Sequence, residues 1–280
     1  MKIAVMTDST AYIPEKIREE LNIHMVPLSV VFDDTSYREE IDITTEEFYE
    51  KLKNYKELPT TSQPSIGYAT EKLEQLAEDF DAVISVHLSS GISGTLQTVL
   101  SAGEMVEGID VYAYDSEASC FVQAFYVYEA VKLSKENKTP EEIIARLDEM
   151  KQSMRAYFMV DDLTNLTRGG RLSNAQAIIG SLLQVKPVLH FVDKLIVPFE
   201  KIRTRKKAIN RIIGMLESEA EKGKDLKVCF IHANDEESAR ALERDFNQKF
   251  PNIETSISYF GPVIGTHLGE KAVGVGWYEK

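Results

Sequence analysis

One stretch limits the possible fold more than any other. Ala82-Val83-Ile84-Ser85-Val86-His87-Leu88 is an apolar, β-branched run, and Ser89-Ser90-Gly91-Ile92-Ser93-Gly94-Thr95 follows it directly. Such a run, bounded by Gly and Ser, reads as a buried strand. Leu96 to Ala102 then fits the start of a helix. A Gly/Ser-rich loop is therefore expected at the C-terminal end of a strand, opening a helix. Gly91 and Gly94 permit tight turning and close backbone approach. The hydroxyls of Ser89, Ser90, Ser93 and Thr95, with the first free N–H groups of the helix, make a donor-rich cradle for an anion. The same residues also fit a plain strand-to-helix turn with Ser93 as N-cap. A phosphate-binding glycine loop carries a Lys near its end. None stands here, so a small carboxylate or a weakly bound phosphate is the better match.

The chain around this stretch alternates strands with helices. Lys2 to Met6 reads as a short strand ending in Thr7-Asp8-Ser9-Thr10, and Pro14 starts a helix. Ile23 to Phe32 reads as a second strand, and Ser36 to Ile41 as a segment that pairs back on it. Thr44 caps a helix with Glu46 and Glu47 in its first turn. Gly67 to Phe80 is an amphipathic helix, Asp110 to Tyr114 a strand ending in Asp115-Ser116, and Ala118 to Glu136 a long apolar helix. This rhythm predicts a mostly parallel, doubly wound sheet. Three polar strand ends, Thr7–Ser9, Ser89–Thr95 and Asp115–Ser116, then share one edge, where open α/β sheets carry their sites.

The rhythm changes near residue 155. Arg155 to Val160 is strand-like, Asp161 to Leu166 helical, and Gly169-Gly170 breaks that helix. Ser173 can cap a helix to about Leu183. Val185 to Phe191 and Lys194 to Phe199 read as a hairpin around Val192-Asp193. A helix from Arg203, a strand at Lys227–Ile231, a helix at Glu236–Phe250, a strand at Glu254–Phe260 and a glycine-rich end follow. Hairpins mixed with helices predict an α+β unit. The expected organisation is an α/β domain over residues 1–155 and an α+β domain over 156–280.

The 280 residues carry 32 Lys and Arg against 45 Asp and Glu, a net charge of −13. That balance argues against general nucleic-acid binding and against adsorption to an anionic membrane surface. Cys120 and Cys229 match no metal or redox spacing and read as reduced core residues. Met1 to Met6 is too short an apolar run, too soon followed by Asp8, for a signal peptide. The expectation is a cytoplasmic protein.

Further stretches can carry chemistry. Glu57-Leu58-Pro59-Thr60-Thr61-Ser62-Gln63-Pro64-Ser65 is a proline-stiffened loop that either presents a hydroxyl or merely links two elements. His267 lies between Gly265 and Gly269, beside Thr266, which points to close approach at a site. Lys201-Ile202-Arg203-Thr204-Arg205-Lys206-Lys207 is a basic run within an acidic chain. It reads as a solvated helix face, or as a place from which Arg203 reaches a cleft and clamps a carboxylate. No nucleophile elbow, zinc motif or phosphate loop is present. An enzyme reading rests on Ser93 with His267, as a hydrolase or an acyl or phosphoryl transferase.

Taken together, Thr7-Asp8-Ser9, Pro59–Ser65, Ser89–Thr95, Gly169-Gly170-Arg171, Gly180–Leu183 with Lys186-Pro187, Arg203-Thr204 and Gly265-Thr266-His267 resemble the DegV family, the FakB-type fatty-acid-binding proteins. The resemblance implies two α/β domains with one long-chain fatty acid between them. Its carboxylate would be held by Thr61, Ser62, Ser93, Arg203 and His267, with Ser9, Gly94, Thr95 and Thr266 adjacent. Ile92, Phe121, Phe125, Phe158 and Ile264 are expected to shape the tunnel for the tail. The resemblance further implies a carrier without catalysis or cofactor. It presents the fatty acid to a separate ATP-dependent kinase that makes the acyl phosphate, through Arg171, Arg205 and the basic helix. A transient membrane contact is compatible with that role. Thr266-His267-Leu268-Gly269 departs from the Gly that many relatives carry after the His.

Overall fold

The computed structural model describes residues 1–161, 163–173 and 185–280. The helix expected from Ser173 to Leu183 and the Gly180–Leu183 motif lie outside the described residues. The strands in chain order are β1 (Ile3–Asp8), β2 (Ile23–Val26), β3 (Ser29–Phe32), β4 (Thr35–Arg38), β5 (Thr60–Ser62), β6 (Ala82–His87) and β7 (Asp110–Asp115). They continue with β8 (Arg155–Met159), β9 (Lys186–Val192), β10 (Leu195–Ile202), β11 (Leu226–His232), β12 (Glu254–Tyr259) and β13 (Val273–Glu279). The helices used below are α1 (Glu15–Leu21), α2 (Thr45–Asn54), α3 (Ile66–Ala77), α4 (Thr95–Gly103), α5 (Cys120–Lys135), α6 (Pro140–Ser153) and α7 (Thr164–Arg168). After them come α8 (Arg205–Ala220), α9 (Glu236–Lys249) and α10 (Pro262–Leu268).

The first sheet is parallel, in the order β2-β1-β6-β7. Side chains alternate across it as a strand requires. Ala4, Met6 and Val83 pack with Ala69 and Leu73 of α3 and Val99 of α4. Val5, Ile84 and Val86 face the opposite layer, which contains α5. The doubly wound expectation is met. The second sheet is mixed, in the order β10-β9-β8-β13-β11-β12, and starts at Arg155. A small antiparallel sheet, β4-β3-β5, forms a third layer.

Three sequence expectations change. Ile23 to Phe32 is not one strand. Pro27 has no N–H for a ladder, and the chain leaves the parallel sheet there and joins the small one as β3. The proline-flanked loop is also partly a strand, because β5 pairs with β3, Thr61 opposite Val30. The glycine-rich C-terminal end hides β13, an interior strand of the second sheet. Its glycines obscure the strand signal yet serve its packing. A Cβ on Gly276 would stand 2.3 Å from Cγ2 of Val122, and one on Gly274 would stand 2.8 Å from Cζ of Phe260.

The first of these close approaches belongs to α5. Residues Val122 to Val127, with Ala130, Val131 and Leu133, are buried in near-continuous succession. A helix apolar all round must be covered all round. α5 packs on β1 and β6 of the first sheet and on β11, β12 and β13 of the second. One core therefore joins Val5 and Ile84 to Phe158, Leu189 and Ile231 through Phe125 and Val127. Gly276→Ala is expected to destabilise the protein by about 1–3 kcal/mol through overpacking against α5. Adding Val122→Ala should recover part of it in chemical denaturation. An unchanged midpoint for Gly276→Ala would show that α5 has room to move.

Candidate functional site

His267 sits in the last turn of α10, and the start of that helix is fixed by a buried carboxyl. Glu39 is wholly buried. It accepts the Val263 N–H at 2.7 Å and the Tyr12 hydroxyl at 2.9 Å on Oε1, and the Ser9 hydroxyl at 2.6 Å on Oε2. Tyr12 Oη in turn accepts the Ile264 N–H, and Ser9 Oγ accepts the Leu28 N–H. Burial pushes the Glu39 carboxyl up to about 8, against the pull of its donors. Tyr49 closes the other side, donating to the Phe260 carbonyl at 2.8 Å. Gly265 is required there, since a Cβ would lie 2.6 Å from the Tyr49 hydroxyl. Ser9, expected beside the ligand, instead supports α10 through Glu39. Thr266 is also turned inward and donates to the Pro262 carbonyl within its own helix.

This support brings His267 Nε2 to 2.9 Å from Thr61 Oγ1 on β5. The other ring nitrogen, Nδ1, is buried without a hydrogen-bond partner among the described residues. Beneath it lies Gly169, where a Cβ would stand 2.3 Å from Nδ1. Burial, with the positive charge of Arg171 second, lowers the His267 pKa to about 4. The imidazole is therefore neutral near pH 7. Arg171, half-buried, donates to the Ile92 carbonyl at 3.2 Å and the Gly169 carbonyl at 2.6 Å.

The Ser89–Thr95 loop lies where the sequence put it, between β6 and α4. Gly94 rather than Ser93 is the N-cap of α4, and Ser93 Oγ bonds to Thr95 Oγ1 at 2.8 Å. Gln63, fixed to Thr98, lies so close to Gly94 that a Cβ there would meet its Oε1 at 2.1 Å. Thr61, Ser62, Ser93, Gly94, Arg171 and His267 thus border one cleft of about 320 Å³, with Leu28, Leu88, Ile92, Val263 and Ile264 completing it. Ile92, Ile264, Arg171 and His267 also line an adjoining slot whose remaining walls are nearly all carbon, Phe158, Leu166, Ile196 and Leu268 among them. The slot has a volume of about 50 Å³.

Other expected residues fall elsewhere. Arg203 is exposed between β10 and α8 and does not line the cleft. Ile202 packs inward on the second core and Thr204 caps α8, which leaves Arg203 outside. Arg205 is held by Asp161, Asp235 and the Lys271 carbonyl. Phe125 and Phe121 meet edge to face away from the slot, and Phe125 also packs against Tyr278. Ser93 and His267, the pair of the enzyme reading, are each bonded to a threonine rather than to one another. Sequence reasoning missed Glu39. Its one signal is an acidic residue between a strand and a turn, which exposed loops share.

Two outcomes test this construction. Glu39 holds its proton more tightly folded than unfolded, since its value rises from 4.5 to about 8. Its contribution to stability is therefore full below about pH 4.5 and lost as pH rises through about 8. Glu39→Gln should remove that component, so the stability difference between wild type and variant should fall across this window; a pH-independent difference would refute it. Gly169→Ala has an ordinary helical backbone and is expected to stay folded. It should nevertheless displace the His267 ring, visible as a changed imidazole resonance by NMR.

The chain matches a family model described as "Uncharacterised protein, DegV family" over residues 2–280. It is 57% identical over 278 residues to Protein DegV of Bacillus subtilis, covering 99% of each chain. The crystal structure of that Bacillus subtilis DegV, described as a fatty acid binding protein, superposes with a TM-score of 0.95 over 100% of both chains. A DegV family protein from Thermus thermophilus, described by its fatty acid binding, is 31% identical with a TM-score of 0.92 over 100% of both chains. One from Streptococcus agalactiae, also described as fatty acid binding, is 34% identical with a TM-score of 0.91, over 100% of this chain and 99% of that one. The chain belongs to the DegV family.

Proposed function

We propose that the protein binds one long-chain fatty acid, its tail in the slot and its carboxylate in the cleft. The observation that carries this reading is the junction between the two: a carbon-walled slot opens where Thr61, Ser93, Arg171 and His267 converge. Relatives described as fatty acid binding proteins support the same ligand. A chain of roughly sixteen carbons, at about 0.8 kcal/mol per buried CH₂, supplies a gross driving force on the order of 10 kcal/mol before association costs. The carboxylate would accept from the hydroxyls of Thr61 and Ser93 and from neutral His267. Arg171 would supply the positive charge, in place of Arg203. The slot is narrow as it stands, so a tail would enter by displacing its walls.

In this reading the protein is a carrier. The open cleft would present the carboxylate to a separate ATP-dependent kinase, which transfers the γ-phosphoryl group to a carboxylate oxygen. The resemblance supplies this step, and Ser62, exposed at the rim, and Arg203, exposed outside it, are the residues such a partner would meet. The cleft binds a carboxylate with side chains alone and needs no cofactor.

Mass spectrometry of the purified protein, intact and after organic extraction, tests the ligand. One fatty acid per chain, released on denaturation, is expected; an empty protein that takes up no added fatty acid overturns the reading. Replacing His267 or Arg171 by Ala should weaken binding about tenfold or more, the loss of one hydrogen bond to a charged group. Arg203→Ala should leave binding unchanged and lower only acyl phosphate formation by the kinase. Equal binding losses for Arg171→Ala and Arg203→Ala would return Arg203 to the cleft.

A further inference from the structure

We propose that Phe191 is the stop at the far end of the slot and sets the longest acyl chain the protein accepts. This rests on the fatty-acid reading above. The two ends of the slot are identified by the residues it shares with its neighbours. At one end Ile92, Arg171, Ile264 and His267 also border the polar cleft. At the other end Ala156, Tyr157 and Phe191 also border a second chamber of about 300 Å³, on the far side of the slot. Among the described residues these three are the ones that border both slot and chamber.

Of the three, one side chain can close the gap. Ala156 offers a methyl group. The Tyr157 ring stacks with His190 and Trp277 in the second core, so it is turned away from the slot. Phe191 lies on the other face of its strand. Leu189 and Phe191 of β9 face the layer of α5, whereas Val188 faces the second core. Its ring stands 6.1 Å from that of Phe158, a slot residue, and its cross-strand partner Ile196 is another.

The chamber behind the stop is unlike the slot. Lys151, Arg155, Lys194 and Glu117 border it. On its inner wall the Tyr126 hydroxyl is buried without a hydrogen-bond partner among the described residues. An aliphatic tail passing Phe191 would enter a space lined by charges and displace their water, which is unfavourable. The partition thus limits length sterically and by polarity. Removing the ring joins the two spaces.

The test offers the delipidated protein an equimolar ladder of straight-chain saturated fatty acids and reads the bound set by mass spectrometry. Wild type should show an upper cut-off. Phe191→Ala should move the cut-off to longer chains by the few carbons that fill the space the ring vacates, with about a tenfold change in relative affinity for two carbons buried there, and no further gain for carbons that would reach the charged chamber. Phe191→Trp should move it to shorter ones, and Phe191→Leu, the mildest change, covers the case that the alanine variant does not fold. Opposite shifts for smaller and larger side chains are required. An unchanged cut-off in folded variants, or the same shift in both directions of size, overturns the role of Phe191. Absence of any bound fatty acid in wild type overturns the underlying reading instead.

Discussion

The two layers of this structure depend on α5 having no exposed residue from Cys120 to Val131. A helix whose every side is apolar cannot end a layer; it has to lie between two. The first sheet covers one side and the second sheet the other, and the shared core is the result. The slot lies where this sandwich begins. Cys120, the first residue of α5, has a backbone φ of 61° and is buried. A non-glycine residue holds that conformation only where its surroundings fix it. Burial pushes its thiol pKa up, so Cys120 acts as a small apolar wall rather than a reactive group. Ser119, Cys120 and Val122 form one side of the slot, and the strands of the second sheet form the other. The slot is thus the place where the start of a doubly covered helix fails to fill the gap between sheets.

The sequence made the first layer readable because period and punctuation agree there. β6 is a continuous apolar run followed by Ser and Gly, and nothing competes with that signal. The position of the loop, the parallel order and the burial of α5 all follow from such patterns. The second layer was harder. β13 reads as a glycine-rich tail because Gly274 and Gly276 carry no side chain, yet their absence of a Cβ is what lets α5 and Phe260 approach. A property that strengthens tertiary packing here erases the local signal.

The site divides along a similar line. Ser93 and His267 stood out as members of a hydroxyl-rich and a glycine-flanked stretch, whereas Thr61, whose loop reads equally well as a linker, came from the family resemblance. Glu39 did not stand out, since its role lies in contacts to residues as remote as Ser9 and Val263. Arg171 borders the cleft and Arg203 does not, for a reason that local sequence does not encode. Both follow short breaks in structure, but only Arg171 is drawn in, by carbonyls of Ile92 and Gly169 that a fold has to deliver. Basic residues are ambiguous in sequence because the same side chain serves a solvated face and a buried clamp equally well.

The electrostatics of α10 explain why that difference matters. Its start rests on Glu39 and its end carries His267, and burial moves their proton affinities in opposite directions. Raising an acid to about 8 and lowering a base to about 4 leaves both largely neutral at pH 7. The helix therefore presents no net charge at either end in the ordinary range. Arg171 keeps its charge, and among the described residues its hydrogen bonds go to carbonyl oxygens, which solvate a cation without neutralising it. The lowered affinity of His267 for a proton is partly the reach of that same charge. Among the described residues Arg171 has no ion-pair partner, so an anion entering the cleft would meet it unpaired there, and would raise the proton affinity of His267 as it arrived. If the cleft takes a carboxylate as proposed, no ion pair among the described residues has to be broken, and the strength of binding depends on how completely the surrounding apolar walls exclude water from Arg171.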